Sequence, residues 1–172
     1  SEMAEVDKSS FKKLTEDQQI AYLINLYNAA TLKLIIDHYP VESIKDIGWF
    51  LKGPFDQEIV KLFDDTITLD TLEHKILRKD YDEPRIHVAL VCAAMGCPPL
   101  KDEAYRGNKL DQQLDEQAKV FLESDRGLQI DREENVVYLS SIFKWFDEDF
   151  VNKYTPQSGF DGFDKSERAV LN

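Results

Sequence analysis

Cysteine is almost missing from this chain, with two in 172 residues, and histidine is scarce at three. A disulfide-dense scaffold is therefore excluded, and no zinc-finger spacing or His-Glu-x-x-His pattern occurs. Neither a metal nor a cofactor is expected. Basic residues are outnumbered, 21 against 33 acidic, for a formal charge of -12. That balance repels phosphate backbones, and Lys12-Lys13 and Arg78-Lys79 are too short to build a basic stripe, so nucleic acid is excluded as the main partner. Long apolar runs are also lacking. The nearest, Ile20 to Ile36, is interrupted by Asn25, Asn28 and Lys33, so the chain reads as not transmembrane. No basic start followed by a short apolar stretch marks a signal peptide, and no repeat or low-complexity tract is visible.

What is present is the composition of a folded globular protein: 42% apolar, 11% aromatic and 31% charged residues. The length fits one domain over residues 1–172. Thr15 to Gln18 is a capping box opening a long helix, apolar around most of its circumference, that His38-Tyr39-Pro40 ends. Such a helix is central. Glu58 to Leu69, turning at Asp64-Asp65, reads as a hairpin, and Leu128 to Leu139, turning over residues 132–135, as a second. Asp70 to Glu73 repeats the capping-box pattern at the start of a short helix, and Leu110 to Leu122 is amphipathic with Leu114, Ala118, Phe121 and Leu122 inward. A helix from Ser140 or Ser141 carries Ile142, Phe143, Trp145, Phe146 and Phe150 as a core stripe. After a loop over Gln157 to Asp164, one more helix begins at Ser166. The expected fold is α+β and mostly helical, with a buried central helix and a small antiparallel sheet built from two hairpins.

Chemistry concentrates between Arg85 and Leu100, which holds both cysteines and His87. Three readings of it stand. In the first, Cys92 is the nucleophile of a thiol-dependent hydrolase or acyltransferase with papain-like or transglutaminase-like logic, a histidine takes its proton, and an amide or carboxylate orients that histidine. In the second, Cys92 and Cys97 close a small disulfide loop that Gly96 and Pro98 permit, contributing about 2 kcal/mol; the spacing is not the redox C-x-x-C. In the third, both thiols are ordinary buried side chains of an interaction module. Within one regular element His87 and Cys92 face apart, so His74 stands beside His87 as candidate base. Asn25 and Asn28 share a face of the long helix that offers little solvent, and either tie down a neighbouring loop or line a polar cleft. Glu73 points toward packing, whereas His74 is displaced to the side of the apolar stripe.

The blocks Ala21-Tyr-Leu-Ile-Asn-Leu-Tyr-Asn-Ala-Ala-Thr-Leu32, Leu72-Glu-His-Lys-Ile-Leu-Arg78, Pro84-Arg-Ile-His-Val-Ala-Leu-Val-Cys92, Gly96-Cys-Pro-Pro-Leu100 and Leu139-Ser-Ser-Ile-Phe-Lys-Trp145 resemble the DUF547 family, a domain of unknown function. The resemblance covers nearly the whole chain. It implies mostly bacterial proteins, often exported or lipid-anchored, and places Asn25, Asn28, Glu73, His74, Arg85, His87 and Cys92 at signature positions. The resemblance also implies that a serine can replace the equivalent of Cys97 in plant-type members, which would make Cys92 the stronger functional candidate. The family's usual last strand is missing, so a C-terminal truncation is expected. The combined expectation is a periplasmic or extracellular protein acting on an amide or peptide bond, or else binding a protein partner. Cys92, His74, His87, Asn28 and Glu73 would be catalytic, with Asn25 and Arg85 contacting substrate.

Overall fold

The computed structural model describes residues 6–48, 52–93, 96–159, 162 and 164–171. After the short α1 (Lys8–Phe11), the chain forms α2 (Glu16–Asp37), capped as the sequence predicts. Thr15 Oγ1 accepts from the Gln18 amide at 3.3 Å, and Gln18 Oε1 accepts from the Thr15 amide at 2.9 Å. The helix ends at His38, ahead of Pro40, which has no amide to continue the ladder. Leu23, Ile24 and Tyr27 are fully buried, whereas Ile36 near its end is exposed.

The first hairpin pairs β1 (Glu58–Leu62) with β2 (Asp65–Thr68), and the second pairs β3 (Leu128–Asp131) with β4 (Val136–Leu139). Both are antiparallel, but they stay separate two-stranded sheets instead of joining into one. The reason lies in their side chains. Val60 and Leu62 of β1 are buried against α2, whereas Ile130, Val137 and Tyr138 of the second hairpin remain exposed.

Between the first hairpin and α4 (Ile86–Ala89) runs a π-helical segment (Thr71–Leu77) that continues into the short α3 (Arg78–Asp80). The capping box expected at Asp70 does not form, because the helical backbone starts earlier. Asp70 is itself helical and makes no capping bond, and Thr68 Oγ1 accepts from the Thr71 amide at 2.9 Å instead. That leaves the Asp70 carboxylate available to a neighbour. The wider turn of a π-helix is uncommon and recurs at functional sites.

The core has two parts. One gathers α2, β1, the apolar side of the π-segment, α4 and the start of α5 (Leu110–Leu122); burying each Leu or Ile there contributes about 1.5–3 kcal/mol. The other joins Phe121 of α5 to Ile142 and Phe143 of α6 (Ser141–Trp145), Phe150 of α7 (Asp147–Tyr154) and Ala169 of α8 (Lys165–Leu171). α4 lies at the seam, with Ile86 and Ala89 in the first part and Val88 in the second. His87 is thus placed where the two parts meet.

Three further differences bear on the site. The helix expected from Ser140 breaks at Phe146, whose φ of -122° is not helical, giving α6 and α7. Its aromatic stripe is only partly core, since Trp145 is 69% exposed. α5 also buries two glutamines: Gln113 bonds the Arg106 amide and the Ala104 carbonyl, and Gln117 the Pro99 carbonyl. At Gly127 a side chain is impossible, because a Cβ would lie 2.1 Å from the Phe121 carbonyl oxygen. That close turn carries the chain from α5 into β3, and the Gly127 carbonyl accepts from the Ser140 amide where α6 begins. The loop expected over Gln157 to Asp164 is described only in part, and Ala94 and Met95 of the cysteine segment lie outside the described residues. Among the described residues no helix is long and apolar enough to cross a membrane.

Candidate functional site

A cleft of about 600 Å³ opens at the seam between the two parts of the core. Glu73 and His74 reach it from the π-segment, His87 from α4, and Cys92 and Cys97 from the loop after α4. Four of the residues singled out as catalytic in the sequence, Glu73, His74, His87 and Cys92, therefore share one hollow. His87 and Cys92 both reach it because the backbone changes between them. The helix stops at Ala89 and Leu90 is extended, so the opposed faces of a single regular element do not apply.

The cysteines are joined in a disulfide, with Cα atoms 6.0 Å apart. Within the closed loop Ala93 has φ +52°, a left-handed backbone that favours glycine. Among the described residues no group of three or more His, Cys, Asp or Glu could hold a metal ion.

The two histidines differ in what their nitrogens do. Arg78 Nη1 lies 3.2 Å from His74 Nδ1. Arginine only donates, so that nitrogen is the acceptor, and the proton sits on Nε2, 3.7 Å from Asp70 Oδ1. His74 has no lone pair left for the cleft. His87 Nε2 lies 2.7 Å from Asp149 Oδ2 and donates to it, which leaves Nδ1 as a bare acceptor. That atom is buried with no hydrogen-bond partner. The His87 ring stacks on Phe146 at 3.8 Å, inclined by 12°, which fixes its plane. Burial pushes His87 down to about 4, against the opposing pull of Asp149, so the ring is neutral at pH 7.

Asp149 is in turn held by Arg78, with Nε 2.7 Å from Oδ2 and Nη2 3.1 Å from Oδ1. Burial alone would raise its carboxyl; the bonds from Arg78 and His87 outweigh that and hold it below the usual carboxylate range. Glu73 has the opposite environment. Burial is the largest influence and raises its carboxyl, with partial opposition from His74, Tyr27 and Arg78. Glu73 Oε2 accepts from the Tyr27 hydroxyl at 3.0 Å, and Oε1 is 4.0 Å from His87 Nδ1. Burial opposes charge on both groups, and with His87 neutral the 4.0 Å contact sets the Glu73 carboxyl against an uncharged imidazole. It is not an ion pair.

Asn25, Asn28 and Arg85 are not brought to the cleft. Asn28 Nδ2 donates to the Ala89 carbonyl at 3.0 Å while its Oδ1 accepts from the Val91 amide at 2.9 Å. Asn25 makes the same reciprocal pair with the carbonyl and amide of Tyr105, at 2.8 and 2.9 Å. Arg85 bonds Glu83 and Asp111 at 2.7 and 2.9 Å, and also Asp115. Sequence reasoning missed Asp149 and Arg78. A signal for Asp149 exists, since Phe146, Asp149 and Phe150 are spaced to share a helical face, which sets an acid among aromatics.

Residues 11–122 match the family described as "Protein of unknown function, DUF547". No curated protein matches the chain, and no solved structure does.

Proposed function

The chain belongs to the DUF547 family, and on that premise we propose that the cleft supports thiol-dependent acyl chemistry on an amide or peptide bond, with Cys92 as nucleophile once its bridge to Cys97 is opened. The carrying observation is that Cys92 lines the same cleft as His87, whose Nδ1 is buried, unpartnered and oriented through Nε2 by Asp149. Base, orienting carboxylate and sulfur are the parts such chemistry needs.

Opening the bridge takes a dithiol reductant, which becomes a disulfide as Cys92 and Cys97 each gain a hydrogen. His87 Nδ1 then takes the Cys92 proton, and the thiolate adds to the amide carbonyl. Collapse of the adduct forms a thioester while the imidazolium returns the proton to the departing amine. Water attacks the thioester with His87 again as base, releasing the acid and restoring the thiol; an amine in place of water gives transfer. His74 is excluded as base because Arg78 occupies its lone pair. The closed bridge supports an oxidising address, periplasmic or extracellular, from which a dithiol partner would release the active form.

The bridge also favours a second reading, a non-catalytic module in which it only pins the loop. Reduction followed by reaction with a p-nitrophenyl ester separates the two. The catalytic reading expects a burst of acyl-enzyme on Cys92, lost in Cys92→Ser and His87→Gln and kept in Cys97→Ser. Equal, slow reactivity of both thiols after reduction would leave the structural reading standing.

A further inference from the structure

Different elements bring opposite charge to the cleft. From the π-segment come Asp70 and Glu73, each with a neighbour: Asp70 Oδ1 lies 3.7 Å from His74 Nε2, and Glu73 Oε2 accepts from the Tyr27 hydroxyl. From the turn between α5 and β3 comes Arg126. The carbonyl of the next residue, Gly127, accepts from the Ser140 amide at 2.9 Å, which sets Arg126 beside the start of α6. Arg126 Nη1 donates to the Cys97 carbonyl at 3.4 Å, so the guanidinium lies against the residue whose sulfur is bonded to Cys92. Among the described residues lining the cleft, Arg126 is the only arginine or lysine. Arg78 and Arg85 are gripped by carboxylates, whereas Arg126 makes no ion pair among the described residues. A guanidinium has five N–H donors in a planar fork, and one long bond to a carbonyl leaves most of them open.

We propose that Arg126 anchors a free carboxylate on the acyl half of the substrate, so that the cleft selects half-amides of dicarboxylic acids. A carboxylate presents two acceptors to the guanidinium fork, and no other described residue of the cleft wall carries a permanent positive charge. The anchor rests on the acyl-transfer reading and deepens it by fixing which way the amide lies. His87, which returns the proton to the departing amine, enters from α4 between Asp149 and Phe146, so the amine half points to that side. The acyl half, bonded to Cys92 in the thioester, then runs along the disulfide loop toward Arg126. Leu139, Ile142 and Trp145 offer apolar wall to the methylenes between the two carboxyl carbons. Arg126, Cys97 and Pro98 also border an open hollow of about 350 Å³ beyond the loop, which leaves space at the anchored end. Arg126 takes no part in bond making, and the His87 lone pair stays free for the Cys92 proton.

Binding and reaction are tested separately. The bridged wild-type protein, in which no thioester can form, is labelled with ¹⁵N and titrated with glutaramate, the half-amide of glutaric acid, and with the neutral methyl ester of glutaramate. Glutaramate is expected to bind about tenfold more tightly than the ester and to move the Arg126 Nε–H resonance, and Arg126→Gln should bind the two alike. The reduced protein is then given mono-p-nitrophenyl glutarate and its methyl ester. The acyl-enzyme burst on Cys92 should form about tenfold faster from the charged ester at low concentration, a preference that Arg126→Gln loses. Equal binding of acid and ester, binding without an Arg126 Nε–H response, a preference that survives Arg126→Gln, or no binding of either ligand would each overturn the anchor. Arg126-dependent binding of glutaramate with no burst from either p-nitrophenyl ester would instead overturn only the acyl-transfer reading.

Discussion

Two sets of wholly or partly buried polar groups lie on or next to α2, and they are treated oppositely. Asn25 and Asn28 each give and receive one backbone hydrogen bond, so the loops at Tyr105 and at Ala89 to Val91 are stitched to the helix. Glu73 and His87, on neighbouring elements, keep an acceptor open and a carboxyl half-committed. Satisfied polar groups add stability and rigidity, whereas an open one costs free energy in the absence of a ligand. The difference separates what holds this fold together from what it offers to another molecule.

The sharpest way to break the contrast is Asn28→Ala. It strands a buried carbonyl and amide at once and should lower stability by about 2–4 kcal/mol in urea unfolding, with the slope of the transition unchanged. A loss below about 1 kcal/mol would mean that the clamp is not structural. The His87 and Glu73 pair should reveal itself next, through pH. His87 falls from 6.5 to about 4 on folding, so between those values the unfolded chain binds more protons and stability rises with pH. Glu73 is raised above 4.5, so beyond that value the native state binds more protons and stability falls as pH rises through its folded value. The two oppose each other from 4.5 upward, and the contribution of Asp149 is already complete above 3.8. Glu73→Gln removes the falling part. Its stability relative to wild type should therefore climb with pH above 4.5, by at most about 1.4 kcal/mol per unit, in melts across that range; a flat difference would place the Glu73 carboxyl in an ordinary environment.

Smaller still is the expected effect of His87→Phe. Arg78 continues to pair Asp149 and an unsatisfied nitrogen is removed, so unfolding should shift by about 1 kcal/mol or less, while the acyl-enzyme burst with the p-nitrophenyl ester after reduction disappears. Destabilisation as large as that of Asn28→Ala would make His87 a structural residue. Smallest is Trp145→Ala at the exposed rim. Stability should stay within about 0.5 kcal/mol, with the change confined to the rate of reaction with the p-nitrophenyl ester after reduction.

Much of this arrangement is legible in the sequence, for local reasons. The Thr15 capping box, the break at Pro40 and the alternation in both hairpins depend on neighbours a few residues away, and they fall where their chemistry puts them. The grouping of Glu73, His74, His87 and Cys92 was open to expectation because reactive side chains are so few. What stayed hidden depends on partners distant in the chain. The same inward face of α2 fits a loop clamp or a cleft lining, and only the positions of Tyr105 and Val91 decide between them. Asp149 sits in the acidic run Asp147 to Asp149, and although its spacing with Phe146 and Phe150 sets it on an aromatic face, nothing local shows that Arg78, distant in the chain, grips it. The Asp70 capping box misled because Thr68, two residues earlier, is an equally good cap.

The π-segment from Thr71 to Leu77 makes chain length itself a requirement. Such a stretch amounts to an α-helix holding surplus backbone, and removing one residue would let it relax to the tighter coil. The tighter turn needs fewer residues for the same rotation, so side chains before and after the segment would keep their relation and only those inside it would change place. Glu73 lies inside that stretch, so its distance from His87 would change although every functional group had survived. A one-residue deletion here would therefore reach the cleft while leaving most of the hydrophobic interior intact.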